Sequence, residues 1–191
     1  MWRRVVKRRI SLGYVKMNAM QQNERLDAGH LAAILAQLDV YYLRTPTAVP
    51  PPPTEPANLI AALAQHPSPR THEALIPLFL RHPEFAEYVP DLVERLPAEA
   101  SLLLRHMYTA AVYLQHLWRG KLEMYLGTAP VLPDYFGQPE WGLPSPSEHF
   151  GEAGLRVLAE QHRAKTGFNW LNSYHTIISH YLNQLRLKAY N

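Results

Sequence analysis

The sequence contains no cysteine and no long apolar run. Without cysteine there are no disulfide frameworks, thiolate metal sites or cysteine nucleophiles, and nothing in the composition indicates secretion. The longest uncharged stretch, 166–185, is rich in Asn, Ser, His and Gln, unlike the roughly 20 apolar residues that cross a bilayer. We therefore expect a cytoplasmic protein without a membrane span.

Patterns typical of cofactor and metal sites are missing as well. The chain has no glycine-rich phosphate loop and no Gly-x-Ser-x-Gly elbow. Two metal ligands on one helix face lie three or four residues apart, and no two of the ten histidines have that spacing. His175 and His180 differ by five residues, which places them about 140° apart around a helix. The sequence predicts no metal site and no cofactor.

Basic residues are concentrated at the start of the chain. Residues 1–16 hold six of the 19 Lys and Arg residues and no acid, whereas the other 175 residues carry 13 basic and 16 acidic side chains. A phosphate-binding surface normally appears as a basic face on the folded domain. We therefore expect nucleic-acid binding, if it occurs, only through this arm. The side chains assigned to anion binding are Arg3, Arg4, Lys7, Arg8 and Arg9.

The role of the arm, residues 1–25, is open between three alternatives. The alternatives are an upstream extension before another start at Met17 or Met20, a basic arm that contacts an anionic partner or membrane surface, and an Arg-rich mitochondrial-type presequence. The rest of the chain, 26–191, is expected to fold as a single domain, since its length suffices for one sizeable core.

Helical periodicity runs through this domain, and no segment has the pattern of a strand. Apolar residues recur at three- and four-residue spacing. The pattern predicts an all-α protein of about seven helices in a compact array or bundle. The longer helices are expected at 27–43, 98–126, 146–164 and 168–188. Asp27 is the expected N-cap of the first of them. Ser145-Pro146-Ser147-Glu148 has the spacing of a capping box for the helix 146–164, and Gly167 is expected to end that helix.

Two proline-rich segments interrupt the helices. Residues 45–56 contain six prolines, which favours a stiff extended linker, although such segments also bind aromatic grooves. Residues 127–146 combine prolines and glycines with aromatic side chains, which predicts a long ordered loop.

A short internal repeat lies between these two segments. Residues 59–67 align with 75–83 at a 16-residue offset, and each copy ends on His-Pro. We expect a helix that ends at each His-Pro. The histidine side chain can meet the unpaired carbonyls of the last turn, and the proline stops the helix. Residues 57–97 resemble the stacked short helices of HEAT and armadillo repeat proteins, which implies a helical array.

A second resemblance lies in residues 156–162. Arg156 and His162 are separated by five residues in an all-helical protein, which resembles the Arg-to-His signature of HEPN-type ribonucleases. The resemblance implies RNA cleavage by these two residues in a groove between two copies. Val157 departs from the pattern, because a polar residue is common there in the family. The alternative is that both residues are exposed polar positions on an amphipathic helix.

The chain as a whole resembles uncharacterised bacterial helical proteins. The segments that carry this resemblance are 77–85 and 142–146. It implies an interaction role, as a partner of a nucleotidyltransferase-like enzyme.

The leading hypothesis is a non-enzymatic helical interaction or scaffold protein that binds a protein partner or a copy of itself. The chain lacks catalytic spacing and has four Trp and 11 Tyr, residue types enriched at binding hot spots. The binding surface is expected on the C-terminal helix and the 127–146 loop, because 166–185 carries no charge while its polar stripe keeps hydrogen-bonding groups. The alternative is that this stripe is buried inside its own domain. The residues assigned to partner binding are Tyr135, Trp141, His175, Ser179, His180 and Asn183.

Overall fold

The computed structural model of the protein describes residues 27–43, 54–167 and 169–189, and these residues are helical with no strand among them. The all-α prediction is confirmed. The α-helices in chain order are α1 (Ala28–Gln37), α2 (Pro56–Gln65), α3 (Pro69–Glu73), α4 (Leu75–Arg81), α5 (Val89–Arg95), α6 (Ala98–Leu117), α7 (Arg119–Leu126), α8 (Gly137–Trp141), α9 (Glu152–Thr166) and α10 (Trp170–Ala189). Two 3-10 helices lie at Pro83–Tyr88 and Glu148–Gly151.

Helix α6 is the central element of the core. Most of its side chains are buried, and α2, α4, α5 and α9 all pack against it. The closest approach is at Gly154 of α9, where a Cβ atom would lie 2.0 Å from the ring of the buried Tyr113. Only a residue without a side chain fits there, so Gly154 sets the distance between α6 and α9.

The first helix begins as expected but ends early. The Asp27 side chain accepts a hydrogen bond of 2.8 Å from the backbone N–H of His30, as an N-cap does. The predicted helix over 27–43 stops at Gln37, because Asp39 adopts a left-handed conformation with φ of 61°. The Val40 N–H then bonds to the Leu35 carbonyl, which closes the helix with a Schellman-type arrangement.

The described residues form more helices than the roughly seven expected, and one reason is a break in the predicted helix 98–126. Trp118 has φ of −111° and ψ of 17°, so α6 ends at Leu117 and α7 restarts at Arg119. No proline marks this break. The change of direction buries Leu122 of α7 and brings α7 against α10.

The predicted start of the helix at 146 is also wrong. Ser145 Oγ pairs with Ser147 Oγ at 2.9 Å, and the Glu148 N–H bonds to the Ser145 carbonyl, so the segment forms a turn rather than a capping box. His149, Phe150 and Gly151 then all have positive φ, and α9 begins only at Glu152. At its other end Gly167 stops α9 with φ of 77°, as expected.

The two copies of the internal repeat are α2 and α4, and their terminal histidines do different things. His66 Nδ1 accepts a hydrogen bond from the Ser68 N–H at 3.1 Å. His82 Nε2 bonds to the Leu38 carbonyl at the end of α1, at 2.8 Å. Neither contact meets the last carbonyls of the repeat's own helix. Of the expected linker 45–56, residues 45–53 lie outside the described part, and Pro56 opens α2.

None of the helices in the described part of the chain is long and apolar enough to cross a membrane.

Candidate partner-binding surface

The long loop 127–146 is fastened to α6 by side chains that reach its carbonyls. Tyr108 donates a hydrogen bond of 2.7 Å to the Pro133 carbonyl. The Gln115 side chain donates to the Pro130 carbonyl at 3.0 Å and accepts from the Leu132 N–H at 2.7 Å. The carbonyls of this segment are free to accept these bonds because residues 129–134 do not belong to a helix. The loop is therefore ordered, as its composition predicted.

Two of the predicted partner-binding residues help to hold this loop. The Tyr135 ring stacks on Tyr108, with centroids 5.5 Å apart and an interplanar angle of 16°. Trp141 packs on His106, with centroids 4.8 Å apart. Both side chains are half-buried. Part of each ring therefore packs the loop onto α6.

Trp141 is one end of a row of rings that joins four helices. His106 of α6 lies 4.3 Å from His162 of α9, and His162 stacks on Trp170 of α10 at 4.3 Å with nearly parallel planes. His162 Nδ1 is also within 3.2 Å of the Tyr174 hydroxyl. We call Trp141, His106, His162, Trp170 and Tyr174 the ring stack.

The two imidazoles of the ring stack are removed from solvent. His106 is 2% exposed and His162 is 5% exposed. The Nδ1–H of His106 donates to the Leu102 carbonyl at 2.7 Å. Burial raises the pKa of the Tyr174 hydroxyl far above its usual value, so this group is a neutral hydrogen-bonding partner for His162. The ring stack is thus a closed internal joint between α6, α8, α9 and α10.

Arg156 and His162 lie on different sides of α9. Six residues along a helix correspond to a rise of about 9 Å and a rotation of about 120°. Arg156 is exposed and binds the carboxylate of Glu152 at 2.6 Å, which lowers the pKa of Glu152. His162 points into the ring stack. One chain therefore does not bring the two side chains together. The alternative, that both residues are exposed polar positions, does not hold for His162, because its side chain is buried.

The remaining predicted residues lie on the side of α10 opposite the core. Ser179, His180 and Asn183 are exposed, and so are Asn172 and Thr176 one or two turns earlier. His175 is half-buried at the edge of the row. The opposite side of the helix carries the buried residues Tyr174, Ile177, Ile178, Tyr181, Leu182 and Leu185. We call Asn172, Thr176, Ser179, His180 and Asn183 the α10 stripe.

In the described part of the chain the α10 stripe is exposed and not buried inside the domain. No other described residue buries the stripe, so packing among the described residues does not explain its lack of charge. Its amide, hydroxyl and imidazole groups both donate and accept hydrogen bonds. Such a surface suits contacts with the backbone and polar side chains of another polypeptide.

The predicted anion-binding arm lies outside the described residues, whereas the ring stack contains a residue that the sequence did not indicate. Arg3, Arg4, Lys7, Arg8 and Arg9 lie outside the described residues. His106 was not singled out by any spacing, because its partner His162 comes from a distant helix. In the described ranges no three His, Asp or Glu side chains come together as a metal site would require.

Comparison of the chain with protein-family models, with curated proteins and with solved structures finds no match.

Proposed function

We propose that this protein is a non-enzymatic helical binding protein and that the α10 stripe is its docking surface for another polypeptide. The observation that carries the proposal is that five exposed residues over three turns of α10 include no charge. A solvent-facing helix side ordinarily carries Lys or Glu. Interface centres, by contrast, are depleted in charge and keep hydrogen-bonding groups.

The stripe is supported by a rigid base. At its start, α10 is held by Trp170 and Tyr174 in the ring stack. Near its end, Gln184 donates to the Tyr41 carbonyl at 2.8 Å and Lys188 pairs with Asp39. A surface fixed at both ends loses little conformational entropy on binding, which favours affinity.

The test is a binding experiment with charges introduced into the stripe. We expect the full-length double variant His180→Glu and Asn183→Glu to lose the partner that the wild-type chain retains from native lysate, because each carboxylate would be desolvated without a counter-charge. The matched control is Asn58→Glu, an exposed position in the first turn of α2 where an acid is favourable. Equal retention by the double variant and the wild type would contradict the proposal.

The ribonuclease alternative gains no support from the positions of Arg156 and His162. A cleavage assay on single-stranded and structured RNA tests it directly. Cleavage that disappears in both Arg156→Ala and His162→Ala would favour it over the binding function.

A further inference from the structure

Phe150 is the most exposed large apolar side chain of the described residues, at 77%. It lies in the middle of His149–Phe150–Gly151, where φ is 46°, 55° and 88°. A left-handed conformation costs a residue with a side chain about 1–2 kcal/mol. The monomer thus maintains a strained backbone to hold an aromatic ring in water, two unfavourable features at one position. We call residues 148–151 the Phe150 turn.

Contacts with α6 explain why the Phe150 turn keeps this conformation. A Cβ atom on Gly151 would lie 2.6 Å from the Tyr113 carbonyl oxygen and 3.3 Å from the Cβ of His116. The backbone of the turn is therefore pressed against the last turns of α6. This packing fixes the direction in which Phe150 projects.

A groove that is partly open to solvent adjoins the turn. His116, the residue that Gly151 touches, forms part of its wall together with Arg119. The rest of the lining is mainly apolar and includes Leu80, Leu122, Leu126 and Val131. Val131 is itself half exposed. A projecting aromatic ring and an apolar groove thus lie next to each other on one surface.

We propose that two copies of this chain associate about a two-fold axis, with Phe150 of each copy inserted into the groove of the other. A two-fold interface needs a patch that is complementary to itself, and a projection beside a groove meets this requirement in both directions. An inserted Phe buries on the order of 150–250 Å² of its surface. The contact uses residues other than those of the α10 stripe and is tested independently of it.

One pair of opposite charges accompanies the two features, in a groove that Glu123 also lines. Exposed Glu148 lies in the Phe150 turn, and exposed Arg119 lies on the edge of the groove. When Phe150 of one copy enters the groove of the other, Glu148 approaches Arg119 of that copy. Arg119 already binds Glu123 through Nε at 2.8 Å, which leaves the other guanidinium nitrogens to a second carboxylate.

The state of His116 fits an aromatic occupant. Burial, followed by the nearby charge of Arg119, lowers the pKa of His116. The imidazole is therefore neutral at pH 7 and forms a flat, uncharged wall.

The competing occupant of the groove is another protein with an exposed aromatic ring. In that case the purified chain sediments with the mass of a monomer, because the other protein is absent.

Sedimentation velocity of the full chain over a concentration series is the primary test. We expect a reversible dimer whose dissociation constant rises at least about 30-fold in Phe150→Asp, the effect of losing a hot-spot side chain. Asp tolerates the left-handed region, so this variant stays folded by circular dichroism. The control is Leu187→Asp, which removes a 62% exposed apolar side chain from α10 and leaves the dimer intact.

A charge exchange tests the orientation of the two copies. Glu148→Lys and Arg119→Glu each weaken the dimer, and the two changes in one chain restore it, because each mutated turn then faces a mutated groove. A wild-type chain that stays monomeric at every concentration overturns the proposal, even if the α10 stripe retains a partner. A dimer that survives Phe150→Asp, or a double charge variant as weak as the single ones, overturns it as well.

Discussion

The two sides of α10 use similar side chains for different purposes. The inner side carries Tyr174 and Tyr181 at full burial and joins the ring stack through Trp170. The outer side carries the α10 stripe, which has the same lack of charge but lies in solvent. On the inner side packing accounts for the absence of Lys and Glu. On the outer side the fold gives no such reason, and this difference supports the proposed binding role.

Two histidines, one on the buried side and one on the exposed side, show the same difference at single positions. His162 lies between His106 and Trp170 with almost no exposed area, whereas His180 has no comparable ring contact among the described side chains and faces solvent. Replacing each by alanine therefore compares the inner and outer sides with one kind of substitution.

The largest effect is expected from His162→Ala. The change removes a buried ring from the middle of the ring stack and leaves the Tyr174 hydroxyl without this partner. We expect the free energy of unfolding to fall by about 3 kcal/mol. For a chain of this size the melting temperature should fall by about 6–12 °C. Urea denaturation followed by circular dichroism measures the change, and a loss below about 1 kcal/mol would show that the ring stack does not stabilise the joint.

A smaller effect is expected where the end of α10 meets α1. Lys188, followed by Arg81, holds the pKa of Asp39 at about 2, below its usual value near 3.8. The stabilisation is therefore fully present above about pH 4 and is lost as the pH falls towards 2. Asp39→Asn should lower stability by about 0.5–1 kcal/mol at pH 5, since Asp39 is 36% exposed and its partner Lys188 is 53% exposed.

The pH series separates this charge effect from a change in the backbone. Asn adopts the left-handed conformation of residue 39 as readily as Asp, so the helix end is preserved. The difference between Asp39→Asn and the wild type should shrink as the pH falls from 5 to 2. A difference that stays constant over this range would contradict the ion-pair explanation.

The smallest effect on stability is expected from His180→Ala. The side chain is exposed, so the free energy of unfolding should change by less than about 0.5 kcal/mol. The same urea experiment as for His162→Ala checks this. A loss as large as that of His162→Ala would remove the distinction between the two sides of α10.

The sequence predicted those features of the fold that local chemistry determines. Asp27 caps α1 and Gly167 ends α9, because a short acceptor side chain and a residue free to adopt positive φ are required at these places. The break at Trp118 carries no such signal, since it depends on how α7 packs against α10. The start of α9 was misplaced because Ser145 bonds to Ser147 instead of capping the helix.

The candidate site was predictable only in part. The uncharged stretch 166–185 pointed to α10, but periodicity could not decide whether its polar side is exposed or buried. The ring stack could not be predicted at all, because His106 and His162 meet only through the packing of α9 on α6. Tyr135 and Trp141 were chosen as aromatic loop residues, and their contacts with Tyr108 and His106 depend on the same packing.

The central claim is that the outer side of α10 contacts another polypeptide, and site-specific photo-crosslinking in living cells tests it most directly. A photoreactive residue is placed at position 183 in the α10 stripe and, as a control, at position 58 in α2, both exposed Asn positions in the wild type. The proposal predicts a discrete crosslinked product of defined mass at position 183 that is absent at position 58. No product at position 183, or the same set of products at both positions, would contradict it.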